Sequence, residues 1–355
     1  MHFSTGISAF AYKNLRDYLD LPSDTIEMVD PVQCLARVDD DVLQRFHCDC
    51  ILLRPRFSGN NIWTPRASYT FSIPESMHPQ QDERGQWIVS NQNGRMRMPK
   101  GGYFFDGDWL SFYDKTPDSQ DFQETVKEAE RIFKETGYYT IYIGFGAYFN
   151  GSVDALCEML TDPEDVMAKN ELALAGNIAR AKAVIKHMGK YIQGIALNSD
   201  LGTQQGPLCN PEVHKELCAP YLKRFCNFIH ENSDFQIFHH TCGSIQPFIP
   251  TLIDCGVDVL NPVQISAANM DPQTLKDRFG KDIAFWGGGC NTQAVLNMGS
   301  PEDVKKNVKE LVGVFKKNSG FVFNQVHNIL GDIAPENIVA MLDTAYTEAW
   351  PEIET

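Results

Sequence analysis

From about residue 120 onward the apolar positions of the chain alternate between a helical spacing of three to four and short unbroken runs. Phe122, Val126, Ala129, Ile132 and Phe133 share one face of a helix predicted over Asp121–Glu135, and Gly137 separates it from the run Tyr139–Phe145, which reads as a strand. The same pattern predicts a helix over Asn170–Met188 before a strand at Ile192–Leu197, and a helix over Pro211–Asn232 before a strand at Phe235–Thr241. Thr251–Cys255 leads into a strand at Val257–Leu260. Asp271 then caps a helix with Pro272 at its first position, Leu275 and Phe279 facing inward and Gly280 as its stop, ahead of the strand Ile283–Trp286. Ser300 opens a further helix with Glu302 and Asp303 in its first turn, where negative charge suits the helix dipole, and its stripe is Val304, Val308, Leu311, Val312 and Phe315. A strand at Gly320–Val326 and a helix opening at Pro335 complete the series.

Near-continuously apolar strands that alternate with amphipathic helices require a parallel sheet covered by helices. None of these strands leads into a Gly-x-Gly-x-x-Gly turn, so the prediction is an α/β fold of the (β/α)8 TIM-barrel type rather than an open dinucleotide-binding sheet. The first third differs. Cys50–Leu53 reads as an early barrel strand, but Trp63–Asp108 alternates polar and apolar residues around turn signals such as Asn93-Gly94. An antiparallel β-hairpin insertion over 60–110 is expected within a single domain over 1–355. Seven barrel strands are assigned in this way and the eighth is not, and an N-terminal element shortened relative to related chains is expected.

Composition narrows the partners. Asp and Glu number 46 against 31 Lys and Arg, a net charge of -15, which offers no footprint for nucleic acid or anionic lipid. The apolar runs are strand-sized and the start lacks a basic segment followed by an apolar one, so a soluble, cytoplasmic protein is expected. Ten cysteines are too dilute for a disulfide scaffold, and reduced thiols are expected.

Barrel chemistry gathers where strands end. In an extended chain residues two apart face the same way, so His240 and Cys242 in His240-Thr241-Cys242 can share one ion, the nitrogen and sulfur donor pair that zinc prefers. Cys290 and His327, at later strand ends, are candidates to complete the site. Asp200 ends another strand with Gln204 just beyond, and serves as a catalytic candidate: general base, metal ligand or hydrogen-bond anchor. Asn261, Gln264, Trp286, Gln293 and Asn328 fall at the same ends and are candidates for substrate binding. The run Gly287-Gly288-Gly289 suggests close approach of a flat cofactor or substrate, while Cys48-Asp49-Cys50, His47, His187 and His214 read as incidental, surface or packed residues.

The run His240-Thr241-Cys242-Gly243-Ser244, then Gly256–Pro262, Phe285–Gly288, Val326-His327-Asn328 and Pro335–Ile338, resembles the C-terminal half of the uroporphyrinogen decarboxylase superfamily in order and spacing. The resemblance, over roughly residues 120 to 350, implies the barrel fold. In the methyltransferase branch of that superfamily, which includes methylcobamide to coenzyme M methyltransferases, a His-x-Cys pair and a later Cys bind catalytic zinc. His240 and Cys242 match the pair; the later Cys falls near His327, so the resemblance implies imidazole there or recruitment of Cys290. The decarboxylase branch has an arginine-rich N-terminal signature that is absent from Gly6–Tyr12, with Arg54 and Arg56 the nearby cationic pair. The implied function is a zinc-dependent methyl transfer between a small methyl donor or acceptor and a corrinoid carried by a partner protein. A decarboxylase acting on a tetrapyrrole, with Asp200 facing pyrrole nitrogens, and a non-catalytic ligand-binding barrel are the alternatives.

Overall fold

A computed structural model of the chain describes residues 5–53, 60–91, 94–107 and 119–349. In the first third, β1 (Ile26–Asp30), β2 (Leu35–Ala36), β3 (Cys50–Leu53), β4 (Asn60–Arg66) and β5 (Tyr69–Pro74) are followed by β6 (Gln80–Gln81), β7 (Trp87–Ser90), β8 (Arg95–Met98) and β9 (Asp106–Gly107). The last four form an antiparallel sheet in chain order, as the alternation over this stretch requires. The other sheet has the order β2-β1-β5-β4 and is mixed: β4 and β5 make an antiparallel hairpin, whereas β1 runs parallel to β5. That parallel pair was not foreseen, because it joins segments far apart in the chain. The expected turn residue Asn93 and the pair Arg54 and Arg56 lie outside the described residues.

The larger sheet is parallel and seven-stranded: β3, then β10 (Tyr139–Phe145), β11 (Gly194–Asn198), β12 (Gln236–His240), β13 (Val259–Asn261), β14 (Ala284–Trp286) and β15 (Phe321–Val322), neighbours in sequence order. Leu52, Ile141, Ala196, Phe238, Val259, Trp286 and Val322, from seven strands, meet in a common interior cluster to which β3 adds Cys50 and β10 adds Tyr139 and Ile143. A flat sheet could not bring its two edges into one cluster, so the sheet curls around its inner face. Phe238 and Trp286 meet there edge to face, ring centres 5.3 Å apart. Among the described residues β3 and β15 are the two edges. Near the β15 edge Ile7 pairs in parallel with Ile329, and Asn324 and Gln325 hold Thr5 through their side chains. A pocket of about 390 Å³ lies between the edges, lined on one side by Cys48, Asp49 and Cys50 and on the other by Phe321–Asn324.

The outer layer follows the predicted alternation, with instructive departures. The helix Pro272–Phe279 has Asp271 as its cap and Gly280 at its end, and Pro301–Phe315 carries a full capping box between Ser300 and Asp303. The expected helix over Asn170–Met188 begins earlier, at Pro163, and a separate helix, Val153–Thr161, precedes it, the two divided at Asp162. The expected helix over Pro211–Asn232 is two helices, Pro211–Leu217 and Ala219–Asn232, because Pro220 sits at the start of the second and cannot supply the amide a continuous helix needs. Thr251–Cys255 is the end of a helix over Ile249–Cys255. The strand expected over Gly320–Val326 is regular only at Phe321–Val322; beyond it Asn324 and Val326 bond the bent chain after β14 at Gly289 and Cys290, while the Asn324 and Gln325 side chains reach the N-terminal segment. No described helix is long and apolar enough to cross a membrane.

Candidate functional site

Alternation along β12 divides its side chains between two layers. Phe238 joins the interior cluster, so His240 and, two residues on, Cys242 project inward, while Ile237 and His239 face the covering helices. His240 is buried, and its Nε2 lies 3.5 Å from Cys242 Sγ and 3.9 Å from Asp200 Oδ1. One donor atom from each of Asp200, His240 and Cys242 falls within 4.8 Å of the others. The sequence had named Asp200 with three roles open; the structure brings it to the His-x-Cys pair.

Buried polar groups fix the histidine. Asn261 is fully buried; its Nδ2 donates to the Trp286 carbonyl at 2.9 Å, which leaves its Oδ1 to accept from His240 Nδ1 at 2.6 Å. The proton of the neutral imidazole is therefore held on Nδ1, and the Nε2 lone pair points at Cys242 and Asp200, the orientation a metal ligand needs. Burial lowers the His240 pKa, opposed by Asp200 and by the Asn261 hydrogen bond. Burial likewise pushes the Cys242 thiol well up, and the Asp200 carboxylate adds to it. A thiolate beside a carboxylate is unfavourable without a cation between them, and a divalent ion reverses that balance.

Backbone contacts set the approach of Asp200. The Cys242 amide donates to Asp200 Oδ1 at 2.8 Å, the Leu201 amide to Thr241 Oγ1 at 2.9 Å, and the Ser244 amide to the Thr203 carbonyl at 2.8 Å. Gly243, at φ +91°, packs so tightly on Gly202 that a Cβ would stand 2.3 Å from its carbonyl carbon. This contact lets the loops after β11 and β12 close on each other.

The other expected residues have different duties, and not all of them reach the mouth. Gln264 accepts from the Gly243 amide at 2.7 Å and donates to Gln204, which donates in turn to Gln293 at 2.9 Å. Asn261 orients His240 and Trp286 walls the interior. His327 sits at the surface of the mouth; crowding around its ring lowers its pKa, His240 lowers it further, and Asp200 opposes both. It is thus within electrostatic reach of His240 and Asp200 without joining the compact group. Cys290 is fully buried in the apolar cluster that joins the N-terminal segment to the last two helices, and burial pushes its thiol up to about 12. Asn328 accepts from the Gly6 amide at 2.7 Å and donates to Gln33 at 2.8 Å, so its carboxamide anchors the N-terminal segment. Gly287 has φ +117° and a Cβ there would stand 2.1 Å from the Pro262 carbonyl oxygen, so the glycine run accommodates the chain itself rather than a flat ligand. His214, read as surface or packed, is buried against Phe149 and Phe248.

The model of the family described as uroporphyrinogen decarboxylase (URO-D) matches residues 143–347, which include all three converging donors. A curated uroporphyrinogen decarboxylase from Vesicomyosocius okutanii subsp. Calyptogena okutanii is 29% identical over 73 residues, 21% of this chain and 20% of the relative, so the chain spans about a fifth of that relative's length in the match. Among solved structures, a methyltransferase from Methanosarcina mazei is similar with a TM-score of 0.53 at 14% identity, over 96% of this chain and 98% of that one. At that identity the likeness is one of fold.

Proposed function

As the chain belongs to the uroporphyrinogen decarboxylase family, we propose that it is a zinc-dependent methyltransferase of the cytoplasm, a single (β/α)8-barrel domain with residues 60–110 as an insertion. It moves a methyl group between a small methylated substrate or thiol and a corrinoid carried by a separate protein. The observation that supports this reading most is the convergence of His240, Cys242 and Asp200 with the His240 proton fixed on the far nitrogen. The donor set suits zinc: one neutral imidazole and two groups that together balance its charge. His327 is better placed than Cys290 to add a further ligand, because it shares the mouth whereas Cys290 is enclosed in the core.

Bound there, zinc would lower the pKa of the heteroatom that gives or receives the methyl group. The chain's own residues prepare the place. Asn261 keeps the His240 proton on Nδ1, the Cys242 amide and Gly243 hold the Asp200 carboxylate against the pair, and Trp286 excludes water from the barrel interior below.

A second reading has a specific observation behind it: the curated relative matched over 73 residues is a uroporphyrinogen decarboxylase. In that reading Asp200 faces pyrrole nitrogens and no metal is used. Elemental analysis of purified protein separates the two. About one zinc per chain is expected, together with a chelator-sensitive spectral change when a corrinoid and a methyl donor or thiol are supplied. Metal-free protein that takes up no zinc on addition, or turnover of a tetrapyrrole that persists in chelator, would overturn the methyltransferase reading. Ligand binding without any turnover would favour a non-catalytic barrel.

A further inference from the structure

Three glutamines cross the mouth and join the loops that follow four consecutive strands: Gln204 after β11, Gln264 after β13 and Gln293 after β14, with Gly243 after β12 at the origin. Their direction is dictated, because the Gly243 backbone N–H can only donate. Gln264 must offer it the carbonyl oxygen, at 2.7 Å, which turns the Gln264 amide toward Gln204 Oε1. Gln204 Nε2 then donates to Gln293 Oε1 at 2.9 Å. The series therefore ends with the acceptor of Gln293 used and its whole amide NH2 without an acceptor among the described residues. Gln293 is exposed, and its backbone is held by the Asn291 side chain at 3.1 Å, so the group is presented from a fixed position. Hydrogen bonds in such a series polarise one another, which makes its last donor a stronger one than an isolated amide.

We propose that Gln293 is the substrate-docking end of this relay and selects methyl substrates that carry a hydrogen-bond acceptor, an ether or carbonyl oxygen, beyond the reacting atom. The proposal rests on the metal reading above, since the reacting atom is placed at Asp200, His240 and Cys242. A directed polar relay also gives discrimination, because a substrate lacking the acceptor leaves its terminal donor unpaired once a bound substrate displaces water from it.

The test uses the full chain loaded with cobalt(II) in place of zinc, so that thiol binding is read from the cobalt–sulfur absorption gained above the band that Cys242 itself gives. The probes are ω-methoxyalkanethiols of two to six carbons, each compared with the n-alkanethiol of equal length. At one chain length the methoxy probe should bind about threefold to tenfold tighter, the worth of one neutral hydrogen bond. In Gln293→Glu the carboxylate still accepts from Gln204 but has no N–H, so this advantage should vanish while the cobalt spectrum without thiol is kept. An advantage that survives in Gln293→Glu, or none at any length in the unaltered protein, overturns the inference and leaves the metal reading intact. Failure of the unaltered protein to give any cobalt–sulfur band overturns the metal reading, and the inference with it.

Discussion

Cys242 and Cys290 occupy comparable places, each just past the end of a parallel strand, and their surroundings have little in common. Cys242 is half-buried beside His240 and Asp200, whereas Cys290 is sealed among apolar side chains of the N-terminal segment and the last two helices. The difference lies in the backbone that leads to each. After β12 the chain stays extended: the Thr241 amide still donates to the Asn261 carbonyl at 2.7 Å, so Cys242 keeps the inward facing of His240. After β14 the chain passes through Gly287 at φ +117° and Gly288 at φ +76°, which destroys the two-residue alternation that would have pointed Cys290 inward with Trp286. A strand-end position thus makes a residue a candidate donor only while the extended conformation persists up to it.

The largest effect should come from exchanging the two cysteines for alanine one at a time. Cys242→Ala is expected to lose zinc beyond the roughly hundredfold that changes behind a ligand usually cost. Cys290→Ala should keep its zinc and lose about 1 to 2 kcal/mol of stability through packing alone. Metal analysis with urea unfolding on each variant checks both, and equal zinc loss in the two would erase the contrast. A smaller effect is expected one step behind the ligand. Asn261→Leu should weaken zinc about tenfold to hundredfold in competition with a chelating dye, and Asn261→Asp, which still accepts from His240 Nδ1, should recover most of it. If leucine and aspartate behave alike, Asn261 does not orient the histidine.

The same contrast extends to the imidazoles on either side of β12. His239 and His214 lie in the apolar outer layer, where burial lowers them to about 3 and about 4. An unfolded histidine titrates near ~6.5, so between that pH and about 4 the unfolded chain binds more protons than the folded one. Stability should therefore be complete above that range and fall as pH drops through it, by up to ~1.4 kcal/mol per pH unit for each such histidine. His214→Phe should make the urea midpoint less sensitive between pH 7 and pH 5, and an unchanged slope would show that His214 is not held neutral by the fold.

Much of this was legible from local rules. The spacing of Leu275 and Phe279 between Asp271 and Gly280, or of Val304 through Phe315 behind Ser300, specifies a helix and its ends without reference to anything distant. His240 and Cys242 were legible for the same reason, since a two-residue spacing in a strand fixes a shared direction. Asn328 and Gln293 were not separable in the sequence: both are carboxamides near strand ends, and only the partners decide that one anchors Gly6 while the other closes a relay.

By itself the sequence determined the alternation of seven parallel strands with covering helices and the one pair of soft donors, because periodicity, capping and β-strand parity act over a few residues. Only the tertiary structure decided that Asp200 meets that pair, that Asn261 sets its tautomer and that Cys290 is excluded from it. Each of those contacts joins residues 21 or more positions apart or depends on backbone angles that residue spacing does not encode. The contact of Gly202 with Gly243 gives the physical reason in its simplest form: two residues without side chains gain their meaning only when the folded sheet presses their backbones together.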